Sequence, residues 1–116
     1  MTDDLPAAIE RPSSVRVGPF VYSIRDMTEI EFHRDNLIGF CDKKDLEIAI
    51  WPDMHRQKQA EVLFHEIFHA CWNAGGLDGT HDRPDEEKVV VAFGLQFLQV
   101  VRDNPDVLAW VKDSFA

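Results

Sequence analysis

The hydrophobic period changes at Pro52, and that change limits the fold more than any other feature of the chain. Upstream lie short runs rich in β-branched and aromatic residues: Val15-Arg16-Val17, Phe20 to Arg25, Leu37 to Cys41 and Leu46 to Trp51. Strand side chains point alternately to opposite faces, so such runs, divided by polar turn chemistry, read as three or four short strands of a mostly antiparallel sheet. Asp42-Lys43-Lys44-Asp45 separates two of them and makes residues 37–51 a hairpin. The alternation in Leu46-Glu47-Ile48-Ala49-Ile50-Trp51 is imperfect, which predicts a strand with one face only partly covered. Pro52, lacking an amide proton, ends the last strand.

Downstream the period is helical. From Arg56 to Ala74, Leu63, Ile67 and Ala70 form one apolar stripe and Ala60, Phe64, Phe68 and Cys71 an adjacent one. Gly75-Gly76 supplies the stop, since glycine accepts the left-handed conformation that closes a helix. A polar loop follows. A second helix opens near Pro84, with Asp85-Glu86-Glu87 at the positive end of its dipole, and runs to about Asp103 on a core stripe of Val90, Phe93, Phe97 and Val101. Pro105 interrupts it, and Asp106 to Ser114 forms a short terminal helix with Leu108, Val111 and Phe115 to bury. Strands followed by helices make an α+β layout. Residues 1–14, with two prolines and paired aspartates and serines, read as a flexible leader, and residues 15–116 as a single domain.

The net charge of −9 on 116 residues opposes binding to a phosphate backbone, so nucleic acid is not an expected partner. The longest uninterrupted apolar stretch, Val89 to Phe93, is too short for a bilayer, and the acidic N-terminus lacks the basic and apolar parts of a signal peptide. The expected location is the cytoplasm. Cys41 and Cys71 have no metal-type spacing, and Cys71 falls on an apolar helix face, where a thiol acts as a small hydrophobe.

The chemistry is concentrated in His65-Glu66-Ile67-Phe68-His69. Two histidines four residues apart on a helix face the same way, as two imidazoles must to reach one metal ion. Glu66 sits beside them, placed to take a proton from water whose pKa zinc lowers. Apolar neighbours imply a largely buried helix, in which unpaired imidazoles are costly and a metal relieves the cost. A catalytic zinc takes three protein ligands and keeps one open position. Asp82 is one candidate for the third, although it reads more simply as a helix N-cap. Glu86 and Glu87 are the others. An antiparallel pair of helices would bring them level with His69 within about a turn, and the spacing of Glu87 to Val90, Phe93 and Leu98 favours Glu87 over Glu86.

Leu63-Phe64-His65-Glu66-Ile67-Phe68-His69-Ala70, a spacer, then Glu87-Lys88-Val89-Val90-Val91-Ala92-Phe93-Gly94 resembles the minimal gluzincin pattern of ImmA/IrrE-like peptidases. The ending Val101-Arg102-Asp103-Asn104-Pro105 is similar to that of small phage- and prophage-encoded metallopeptidases, which would place the protein in a host cytoplasm. The resemblance covers about residues 46–111. It implies a minimal zincin-like fold, in which a small sheet precedes the metal helix, a second ligand-bearing helix and a short C-terminal helix. It also implies Zn2+ held by His65, His69 and Glu87, with Glu66 as general base, and a peptide or protein substrate paired along an edge strand, residues 46–51. Gly79-Thr80-His81-Asp82 is similar to a short aspzincin signature, without its aromatic continuation. His81 and Tyr22 are candidate oxyanion donors, Trp51 and Trp72 candidate cleft residues, and His33 and His55 surface residues. Val91 stands where the pattern has a polar residue able to orient a ligand histidine. That favours a second reading: a zincin-fold structural or regulatory binding module whose zinc is not catalytic.

Overall fold

A computed structural model describes residues 9–76 and 86–116. Four strands and four helices follow one another as β1 (Ser14–Val17), β2 (Phe20–Asp26), α1 (Glu29–Asp35), β3 (Gly39–Asp42), β4 (Glu47–Ile50), α2 (Arg56–Ala74), α3 (Glu86–Asp103) and α4 (Pro105–Ser114). The architecture is α+β, as the change of period at Pro52 predicts. The sheet, however, is mixed. Its order is β1-β2-β4-β3, with β1–β2 and β3–β4 antiparallel and β2–β4 parallel.

The expected hairpin is present, Asp42 opposite Glu47, and its turn is closed by the Asp42 carboxylate accepting from the amides of Lys44 and Asp45 at 2.9 and 3.0 Å. Its second strand is not an edge. β4 lies between β2 and β3, and Ile48, Ala49 and Ile50 are all fully buried. The imperfect alternation is therefore that of an interior strand covered on both faces, not of one partly bare. The edges are β1 and β3. Asn104 covers β1: its side-chain oxygen accepts from the Arg16 amide, and its nitrogen donates to the carbonyls of Arg16 and Val100, all within 2.9 Å. This asparagine completes the edge as a neighbouring strand would, which gives the Asn104-Pro105 pair a structural role.

One face of the sheet presents Val15, Val17, Tyr22, Ile24, Ile48 and Ile50 to Ala60, Leu63, Ile67, Ala70 and Cys71 of α2 and to Val107 and Trp110 of α4. Of the two expected α2 stripes, Leu63, Ile67 and Ala70 are buried together with Ala60 and Cys71, whereas Phe64 is half-buried and Phe68 exposed. In α3 and α4 the expected faces are found in part: Phe93 and Val111 lie half-buried against the core. Val100 is buried where Val101 was expected, Val107 and Trp110 take the places expected for Leu108 and Val111, and Phe115 is exposed. α3 packs on β1 and α2, and α4 on α2 and α3, and those contacts select the buried sides. Burial pushes the Cys71 thiol up to about 11, so it is inert.

The opposite face is polar. Arg25 donates to both carboxylate oxygens of Glu31 at 2.8 Å, lies 3.5 Å from Glu47, and sits over the Phe40 ring. Glu31 belongs to α1, a helix that the hydrophobic pattern does not predict because none of its residues is buried. Its signal is the capping box Thr28-Glu29-Ile30-Glu31. Thr28 accepts from the Glu31 amide, and Glu31 accepts from the Thr28 amide. The leader is partly fastened: Arg11 pairs with Asp26 at 2.7 Å, Arg56 donates to the Ile9 carbonyl, and Ser14 already belongs to β1. No helix among the described residues is long and apolar enough to cross a membrane.

Candidate metal site on the second helix

α2 has the predicted limits. The His55 side chain caps its start by accepting from the Gln57 amide at 3.0 Å, and Gly76, with φ +75°, turns the chain beyond Gly75. Within it the site residues divide between two faces. Leu63, Glu66, Ile67 and Ala70 point into the sheet; His65, Phe68 and His69 are exposed. The expectation of buried imidazoles is thus reversed. The buried polar group is Glu66, 6% exposed, and the histidines stand on the open side one residue round the helix.

The two imidazoles do converge. Nε2 of His69 and Nε2 of His65 are 3.2 Å apart, with the rings inclined at 72°. Two nitrogen ligands at about 2.0–2.1 Å from a tetrahedral zinc stand roughly 3.3 Å apart, so the pair already has the bite of a chelate. A neutral pair can also hold this distance by one Nε2–H donating to the other ring. Among the described residues no set of three His, Cys, Asp or Glu side chains comes together to hold a metal.

Glu66 reaches beneath the edge strand. A Cβ on Gly39 would stand 3.3 Å from Glu66 Oε2 and only 2.5 Å from Val62 Cγ1, so only glycine lets β3 approach α2 this closely. No hydrogen bond or ion pair reaches the Glu66 carboxylate among the described residues. Burial pushes its pKa above the usual carboxylate range, and the nearby His65 and His69 pull it back in part. A buried carboxyl without a partner is costly in a merely structural role and is a common mark of a functional group.

The histidines open onto a cleft of about 370 Å³ lined by His65, Phe68, His69, Trp72 and Phe93. Trp72 is therefore a cleft residue, as expected, whereas Trp51 stacks on Phe32 of α1, ring centroids 4.1 Å apart. Tyr22 is a buried core residue outside the cleft, and His33 and His55 are exposed. Asp82 and His81 lie outside the described residues, as do the side chains of Glu86 and Glu87. Along the backbone Glu87 is the second residue of α3. Trp72 meets Phe93, and Phe68 meets Phe93 and Phe97, so α3 runs antiparallel to α2 with residues 93–97 level with His69. Glu87 precedes Phe93 by six residues, about 9 Å along the axis. That is more than the single turn expected, because the aromatic contacts rather than the loop length set the offset. Leu98, expected on the same inward stripe as Glu87, is exposed. Comparison with protein-family models, curated proteins and solved structures finds no match to this chain.

Proposed function

We propose that this chain is a zinc-dependent metallopeptidase with a zincin-like arrangement, His65 and His69 being metal ligands and Glu66 the general base. The observation that carries the reading is a pair of imidazole nitrogens 3.2 Å apart beside a largely buried carboxylate to which no described residue hydrogen-bonds. Bound there, zinc would supply a Lewis acid that polarises a carbonyl and brings water's pKa near neutrality. Glu66 would take a proton from water held beside His65 and His69 and return it to the leaving amine, and burial makes it a stronger base than an exposed glutamate. Glu87 is the third ligand this reading names, with Glu86 and Asp82 as alternatives.

An extended substrate needs an open strand edge. The expected strand, residues 46–51, contains β4 and cannot provide it, since β4 is paired on both sides; β3 is the edge that approaches Glu66, through Gly39. The reading therefore moves the substrate strand to residues 39–42. The test is metal content and hydrolysis measured together. Protein purified without chelator should carry close to one equivalent of zinc and cleave peptides, and Glu66→Gln should keep the zinc and lose the cleavage. Undiminished cleavage by Glu66→Gln rejects the mechanism. Zinc bound tightly with no cleavage by the wild type selects the non-catalytic module, and absence of zinc rejects both. Glu87→Gln, Glu86→Gln and Asp82→Asn, compared for zinc affinity, identify the third ligand.

A further inference from the structure

The cleft beside the histidines has an unusual wall. Phe64, Phe68 and Trp72 follow one another at four-residue spacing along α2, in a row next to that of His65 and His69. α3 completes it. Phe68 stacks on Phe97 at 5.4 Å with the planes 6° apart, and Phe93 meets Phe68 at 5.6 Å and Trp72 at 5.5 Å. Interlocked rings of this kind form a fixed surface rather than a set of mobile side chains. Phe68 nevertheless remains 42% exposed, because its outer side faces the cleft rather than the core. Among the described residues the lining contains no carboxylate, ammonium or guanidinium; its polar groups are the two imidazoles and the Trp72 indole N–H. A ligand held here places uncharged apolar surface on the rings and a polar group at the histidines.

We propose that Phe68, Trp72 and Phe93 form a subsite for a large uncharged apolar side chain, aromatic or long aliphatic, of the residue flanking the bond presented to His65 and His69. The inference rests on the peptidase reading for the nature of the ligand, a peptide, but the subsite itself needs neither metal nor turnover. Specificity of this chain then resides in the aromatic wall, and small or charged residues at that position are rejected because they leave the rings wet or bring an unpaired charge against them.

Binding to the full-length, metal-free protein separates the two ideas. Blocked tripeptide amides with Phe, Ala or Lys between glycines are titrated while the indole N–H resonances of Trp51, Trp72 and Trp110 are followed. The Phe peptide should move Trp72 alone and bind at least about tenfold more tightly than the Ala or Lys peptide. Phe68→Ser should abolish that preference, with unmoved Trp51 and Trp110 resonances reporting an intact fold. Equal affinity of wild-type protein for the Phe and Ala peptides, or a shift at Trp51 or Trp110 instead of Trp72, overturns the subsite whether or not the variant folds. The same peptides are then offered to zinc-loaded protein. Selective binding without cleavage defeats the peptidase reading and leaves the subsite standing; cleavage without selectivity does the reverse.

Discussion

The two faces of the sheet each hold one glutamate against it, and the two are treated in opposite ways. On the polar face Glu31 receives two hydrogen bonds from Arg25 and one from the Thr28 amide, which together hold its pKa down at about 2. On the helix face Glu66 receives none from the described residues, and burial raises its pKa. Glu31 is placed to hold α1 in position; it is a carboxylate whose charge is wanted in the folded state. Glu66 is tolerated only because the fold around it is secured elsewhere, by Leu63, Ile67 and Ala70 one step away on the same helix. The comparison teaches how a helix with a strong core stripe can carry a costly group, whereas a helix with no buried residue needs a satisfied one.

The largest effect expected from breaking this contrast is catalytic. Glu66→Gln should lower zinc-dependent cleavage by about 10²–10⁴-fold, the range for loss of a general base, with zinc content unchanged. Peptide kinetics alongside elemental analysis measure both. Next comes the space beneath β3. Gly39→Ala should destabilise by roughly 1–3 kcal/mol, as overpacking does, because the new methyl meets Val62. Denaturant unfolding should show Gly39→Ala/Val62→Ala recovering part of that loss; no recovery would mean that Val62 is not the obstacle.

On the polar face, Glu31→Gln removes the charge and the bidentate pair with Arg25 while its amide oxygen still accepts from the Thr28 amide, and should cost about 0.5–1 kcal/mol at pH 7. Because the folded pKa of Glu31 is depressed, its contribution is fully present above the ordinary glutamate range and is lost as pH falls towards about 2. Wild-type and variant unfolding curves should therefore converge in acid. The smallest effect has the opposite sign. The folded pKa of Glu66 is raised, so its own contribution to the stability of the metal-free protein is most favourable where it is protonated and declines as pH rises through and beyond 4.5. Glu66→Gln should then melt a few degrees above metal-free wild type at neutral pH, with the gap closing near pH 4. A variant that melts lower at neutral pH would show that the carboxylate has a partner after all.

Much of the helical half was legible before folding was considered. Both limits of α2 follow from its apolar stripe and its glycines, and the convergence of His65 and His69 follows from their spacing. α1 was not legible from hydrophobicity, since Ile30 faces solvent and nothing in the helix is buried; Thr28 and Glu31 were its only signal. The parallel β2–β4 pairing joins strands separated by a helix and a further strand, and no local pattern encodes such a partner. The offset of α3 was misjudged for a similar reason. Loop length limits how two helices can lie, but Phe68, Trp72, Phe93 and Phe97 decide where they stop sliding.

By itself the sequence determined the α+β order, the helix that bears the histidines and the chemistry those side chains can offer, because each depends on spacing along one element. Only the tertiary structure decided that Glu66 is buried and His65 and His69 are open, that residues 47–50 are interior and residues 39–42 an edge, and that an aromatic wall borders the histidines. Each of these is a relation between elements distant in the chain, set by which surfaces exclude water against one another, and that competition is settled only when the whole core closes.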